Sequence, residues 1–105
     1  MNIHVAQRKV SEFHEVKLPK GVDPRHQVVK LMEEVGELAA ALLKNDQRGV
    51  ADGLADSFYV LLGIANLTGV DLETAFIDVH HSNMTKLPSG GINPTKGAGF
   101  QEPKL

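Results

Sequence analysis

Apolar positions recur at helical spacing in four stretches, and strand-like alternation occurs nowhere. The pattern predicts helices over about 2–14, 24–44, 50–67 and 72–85, and no internal repeat. The first is weakly patterned, with Ile3, Val10 and Phe13 at helical spacing, and 17–22 (KLPKGV) reads as a linker. Asp23-Pro24 is a start signal, with Asp at the N-cap and Pro at the first helical position. Asn45-Asp46 and Gly49 are read as the break after the second helix, and Gly69 as a left-handed cap ending the third. Asp71 caps the fourth, whose apolar stripe is Leu72, Ala75, Phe76 and Val79. The stretch 87–105 is rich in Gly and Pro and reads as an extended tail. The fold class is therefore all-α, a bundle of four to five helices.

Two of these helices carry acids where a plain amphipathic helix would not. In 30–44 (KLMEEVGELAAALLK), Val28, Leu31, Met32, Val35, Leu38, Ala39 and Leu42 fill an arc of roughly 120°. Glu34 stands ~40° beyond Leu38, and Glu37 about 60° further, beside Lys30. The third helix is apolar almost all round, which predicts burial on most sides. Asp52, Asp56, Tyr59, Gly63 and Asn66 nevertheless share an arc of about 80° on it. If the two stripes face each other, Glu34, Glu37, Asp52 and Asp56 converge, with Glu33 beside them. Partly desolvated acids repel one another and are relieved by a cation. Oxygen donors on rigid helices suit Mg2+ or Mn2+, and Mg2+ held by carboxylates usually also binds substrate phosphates. The opposing reading is that the acids simply solvate a bundle surface, as acids spaced i and i+3 ordinarily do.

Composition narrows the picture. The 105 residues read as one domain, with a core small enough that oligomerisation would complete it. A net charge of −2 and a pI near 6.2 give no basic surface for nucleic acid or membrane. The chain has no cysteine, so zinc-thiolate and disulfide frameworks are excluded. The N-terminus is too polar for a signal peptide, and no uninterrupted apolar run approaches the ~20 residues of a membrane span. A cytoplasmic protein is expected.

At Glu33-Glu34-Val35-Gly36-Glu37 and Asp56 the chain resembles the MazG-like all-α nucleoside triphosphate pyrophosphohydrolases. That superfamily also holds phosphoribosyl-ATP pyrophosphohydrolase and the dimeric dUTPases. Its pattern is EExxE on one helix and an ExxD-type pair on the next. The glutamate expected three residues before Asp56 is Gly53 here, and Asp52 stands one position earlier on the same face. The segment His80-His81-Ser82-Asn83-Met84-Thr85-Lys86, and Lys96 to Phe100 in the tail, also look like small MazG-like members.

The resemblance implies a Mg2+-dependent hydrolase that splits a nucleoside triphosphate into monophosphate and pyrophosphate. By carry-over Glu34, Glu37 and Asp56 ligate metal, Glu33 ligates it or positions the attacking water, and Glu33 and Glu34 are the catalytic candidates. Asp52 is either a further ligand or a supporting partner. Asn83 and Lys86 would meet the substrate, and the chain would assemble as a dimer or a dimer of dimers. Asn83 continues the Leu72–Phe76–Val79 stripe, which predicts that it points inward. Lys30 is assigned either to phosphate or to neutralising Glu34 and Glu37, Tyr59 to a base or to packing, and Lys96 to a lid or to an unstructured tail. His80 and His81 are adjacent, so they face different ways and make a poor metal pair. Gly36 and Gly63 are expected to allow close helix approach or to leave room for a ligand. Competing readings are phosphoribosyl-ATP hydrolysis and a non-catalytic helical interaction module.

Overall fold

The computed structural model describes residues 1–86, so the tail, with Lys96, lies outside the described residues. Four helices form, with no strand among the described residues: α1 (Ile3–Lys17), α2 (Pro24–Leu43), α3 (Gln47–Thr68) and α4 (Leu72–Thr85). The all-α class is as the periodicity requires. The start signal at Asp23-Pro24 operates as read: the Asp23 side chain accepts from the Arg25 backbone N–H at 2.8 Å. The Arg25 side chain and backbone together hold that carboxyl below its usual range. Gly69 adopts φ 72° and closes α3 in the left-handed conformation. Asp71 accepts from the Thr74 N–H at 3.1 Å and starts α4.

One boundary differs. Gly49 does not break the chain but lies in the first turn of α3, which begins at Gln47 under an N-cap from Asp46. The break is confined to the turn before it, where Asn45 takes φ 55°. A Cβ at Gly49 would stand 2.6 Å from the capping Asp46 Oδ2 and 3.0 Å from Ala41 Cβ, so the cap and the α2 contact both favour glycine there.

The chain divides into two compact units, Met1–Ala75 and Phe76–Leu105. In the first, α3 is the element on which both α2 and α1 pack. Its residue pairs with α2 run in opposite directions. Gly49 faces Ala41, and a Cβ on Gly53 would lie 2.9 Å from Leu38 Cβ and 3.0 Å from Leu38 Cα. The two helices are therefore antiparallel, and glycines at 49 and 53 set how closely they approach. On the α1 side, Gly63 takes the ring of His14, whose Cε1 would be 2.9 Å from an added Cβ. Gly63 thus allows the close approach anticipated for it, whereas Gly36 faces open space.

The buried apolar core is small: Val10 (1% exposed), Ala41, Val60, Leu62 and Ala65. Among the described residues of the first unit α3 is packed by α2 and α1, and Leu54, Phe58 and Leu61 are exposed, contrary to the burial its composition predicts. By length and mean hydropathy (1.3) α3 would suffice to cross a membrane, but here it is the helix the others pack on. α2 departs further. Its apolar arc stays open, with Val28, Val35 and Leu42 exposed and Met32 69% exposed. The face applied to α3 is centred on Glu34 instead. In the second unit, described over 76–86, no side chain is buried, and Phe76 stacks on His80 with centroids 6.2 Å apart.

Candidate active site

Packing α2 on α3 by its acidic edge lines their seam with carboxylates. Glu34 is 7% exposed, the one buried charged residue among those described. Its Oε2 meets Lys30 Nζ at 3.2 Å, one helical turn earlier. The Glu34 carboxylate, then the charges of Glu33 and Glu37, push the Lys30 ammonium pKa up. The other oxygen, Oε1, has no hydrogen-bond partner. A buried carboxylate with a free oxygen is expensive unless something else completes it.

Two clefts open along this seam, and Asp56 lines both. The first, about 390 Å³, is rich in acids: Glu37, Asp46, Asp52 and Asp56 stand around Ala41 and Gly53, with Lys44 as its one lining cation among the described residues. The second, about 300 Å³, holds Glu34 and Lys30 at its acidic end and Gln27, Tyr59, Phe13 and His14 beyond them. Phe13 and Tyr59 meet edge-to-face, with centroids 5.5 Å apart and ring planes at 84°. The order along the seam is therefore acids, then a lysine, then an amide and aromatic faces.

The structure thus joins Glu34, Glu37, Asp52, Asp56, Lys30 and Tyr59 to one continuous seam. It does not close the four acids on a single point. Among the described residues no three acidic or histidine side chains are grouped as an ion-binding set. Glu34 faces the second cleft, Glu37 and Asp52 the first, and only Asp56 belongs to both. The donor set still fits a hard divalent cation. Every candidate ligand is a carboxylate oxygen on a helix, and the free Glu34 Oε1 is the kind of atom such an ion satisfies. Glu33 is exposed and lines neither cleft.

Asn83 does not point into a core: it is exposed, and its Oδ1 accepts from Lys86 Nζ at 3.4 Å. The inward stripe fails because α4 buries none of its residues. Position 53, which carries glutamate in the resembled pattern, is a contact point where even a Cβ would strike Leu38. Phe13, His14, Leu18 and Gln27 are lining residues that the sequence reading missed. Only Gln27 left a trace there, as it shares a helical stripe with Lys30, Glu34 and Glu37.

The family model described as phosphoribosyl-ATP pyrophosphohydrolase matches residues 6–83, from the first turns of α1 into the last turn of α4. No curated protein matches the chain.

Proposed function

The chain belongs to the phosphoribosyl-ATP pyrophosphohydrolase family, and from that premise we propose that it hydrolyses nucleoside triphosphates to monophosphate and pyrophosphate with Mg2+. Pyrophosphohydrolase chemistry on a nucleotide-like substrate comes with the family. The finer assignment is supported by one observation, the gradient along the α2–α3 seam. Acids at one end suit a metal-bound phosphate chain, and the slot of Phe13, Tyr59 and Gln27 suits a base. Glu34, Glu37 and Asp56 would hold the ion, with Asp52 as ligand or support. When bound, it neutralises phosphoryl oxygens and acidifies water.

In the reaction a water oxygen bonds to phosphorus and an anhydride P–O bond between the α- and β-phosphorus breaks. The bonding pair leaves on the departing phosphate oxygen, and a seam carboxylate takes the water's proton. Lys30 holds one oxygen of Glu34 and orients the carboxylate for this work. Glu33 enters the proposal only through the EExxE resemblance, as a residue that positions water.

A second reading, phosphoribosyl-ATP as substrate, is favoured by the family's description. Against it, Lys30 is the one Lys or Arg lining the second cleft among the described residues, and Glu34 already engages it. Among the described residues a second sugar phosphate on the base would find no uncommitted cation in this cleft. The proposal includes a homo-oligomer, supported by the apolar side chains left open on α2 and α3. It also places the protein in the cytoplasm, maintaining nucleotide pools.

Pyrophosphate release from a panel of ribo- and deoxyribonucleoside triphosphates and phosphoribosyl-ATP, with Mg2+ and with EDTA, tests the reading. Mg2+-dependent release from one or more triphosphates is expected. Release from phosphoribosyl-ATP alone would establish the second reading, and silence across the panel would leave a non-catalytic helical module.

A further inference from the structure

Lys30, Glu37 and Lys44 recur seven residues apart, which puts them on one stripe of α2 and its C-cap. The two lysines differ in what holds them. Lys30 is engaged by Glu34. Lys44 lines the first cleft together with Glu37, Asp46, Asp52 and Asp56, yet among the described residues it forms an ion pair with none of them. A lysine that served only to neutralise these acids would pair with one, as Lys30 does. A cation left uncommitted in an acidic cleft is available to an incoming anion. We propose that Lys44 binds the terminal phosphates of the substrate and holds pyrophosphate as it leaves, an assignment that rests on the hydrolytic reading of the seam.

Its place along the seam fits that role. Asp56 lines both clefts, Tyr59 and Gln27 only the second, and Lys44 only the first. A base between Tyr59 and Gln27 therefore leaves its phosphates to run past Asp56 toward Lys44. Along α2 the Lys44 backbone stands about 15 Å beyond Glu34, ten residues at ~1.5 Å each. A long helical side chain folds back over the turn before it. Ala40 and Ala41 form that turn, line the same cleft and leave the stem room. Folding back brings the ammonium nearer by about one pitch of ~5.4 Å, which leaves roughly 10 Å for a phosphate chain. Charge supplies the need. Four carboxylates repel a triphosphate, and one divalent ion offsets only half of their charge. Breaking the anhydride bond then builds further negative charge on the departing pyrophosphate, where a fixed cation is most useful. Lys30 is not placed for this, because it lines the second cleft and Glu34 holds it there.

Calorimetric binding of inorganic pyrophosphate in Mg2+ tests the assignment without any turnover. The full chain is compared as wild type, Lys44→Gln, Lys44→Arg and Lys9→Gln, the last removing an exposed lysine of α1 that lines neither cleft. Lys44→Gln is expected to weaken binding about 10-fold, the scale of one hydrogen bond to a charged group. Lys44→Arg should keep most of the affinity, and Lys9→Gln all of it. Three results would each overturn the proposal: no pyrophosphate binding by the wild type, equal binding by Lys44→Gln, or an equal loss in Lys9→Gln, which would reduce the effect to overall charge. In the hydrolysis assay Lys44→Gln should relieve product inhibition by pyrophosphate and leave inhibition by the nucleoside monophosphate unchanged. Relief of both alike would overturn it as well, since Lys44 would then not be confined to the terminal phosphates. Hydrolysis with pyrophosphate binding indifferent to Lys44 refutes this assignment alone. Lys44-dependent pyrophosphate binding in a protein that hydrolyses no triphosphate sustains it and refutes the substrate reading instead.

Discussion

On the side of α3 that meets α1 and the start of α4, polar side chains are matched with polar side chains. Gln7 Nε2 donates to Asn66 Oδ1 at 2.9 Å and to Val70 O at 3.1 Å, and Gln7 Oε1 accepts from the Leu72 N–H at 3.1 Å. Asn66 Nδ2 returns a bond to Gln7 O at 2.8 Å, and His4 Nε2 reaches Asp71 Oδ1 at 2.9 Å. On the side that meets α2, Glu34 and Ser57 are buried more deeply than these half-buried and exposed groups, yet each keeps an atom without a partner. The groups for which burial makes a missing partner most costly are thus the ones left without one. The corner around Gln7 uses its polar groups to fix the start of α1 against the α3–α4 turn. The α2–α3 seam leaves donor and acceptor capacity uncommitted, which destabilises the isolated fold and is useful only if something binds there.

If that contrast holds, changes in the seam should fall on activity and changes in the corner on stability. The largest effect is expected from Asp56→Asn, which keeps size and removes one charge from the residue lining both clefts. Its turnover should fall well beyond the ~100-fold that marks a supporting partner, with Tm in EDTA unchanged or raised as acid–acid repulsion is relieved. Turnover near that of the wild type would remove Asp56 from the mechanism. Asp52→Asn in the same assay sharpens the result: a matching loss makes Asp52 a ligand, and a loss of about 10–100-fold makes it a support.

Gly53→Ala comes next. Its methyl would stand 2.9 Å from Leu38 Cβ and 3.0 Å from Leu38 Cα, so the helices must separate. Overpacking of this kind costs about 1–3 kcal/mol, read as a fall of roughly 4–8 °C in Tm per kcal/mol for a domain near this size. Because the seam is displaced, hydrolysis should fall as well. A variant with normal Tm would show that the close approach is not required.

Gln7→Ala is the corner's counterpart. It leaves Asn66 and the Leu72 N–H short of partners and should destabilise by about 1–3 kcal/mol, with kcat of the folded protein unchanged. A tenfold drop in kcat without a change in Tm would break the division between the two regions.

The smallest effect concerns pH. The Thr74 backbone N–H, then His4, hold the Asp71 carboxyl below its ordinary value of 3.8. A carboxyl more acidic in the folded than in the unfolded chain contributes stability that is whole above about pH 4 and is lost as pH falls through the lower folded value. The Tm difference between wild type and Asp71→Ala should thus be steady at neutral pH and narrow below about pH 4. A difference that widens on acidification would reverse the sign and refute the assignment.

Much of this architecture is legible without coordinates, because its causes are local. Asp23-Pro24, Asp71 and Gly69 act within one turn of themselves, so the ends they mark are where the residues say. Glu34, Glu37, Asp52 and Asp56 could be assigned to two helical stripes for the same reason, since the spacing of a helix is fixed by its own backbone. Gly49 was misread as a break because a lone glycine in a helix looks like one until Ala41 is seen against it.

The tertiary structure decided what no spacing states, namely which face of each helix meets which neighbour. A wheel locates the apolar arc of α2 at Val28, Met32, Val35 and Leu42, yet those side chains stay open and Glu34 goes inside. Close approach is governed by the absence of side chains at Gly49, Gly53 and Gly63, and those glycines face Ala41, Leu38 and His14. That contact then brings Phe13, Tyr59 and Gln27 beside the acids. Such neighbours are far apart in the chain and share no period. They are set by which surfaces fit at short range, a property of two helices together and of neither one's sequence alone.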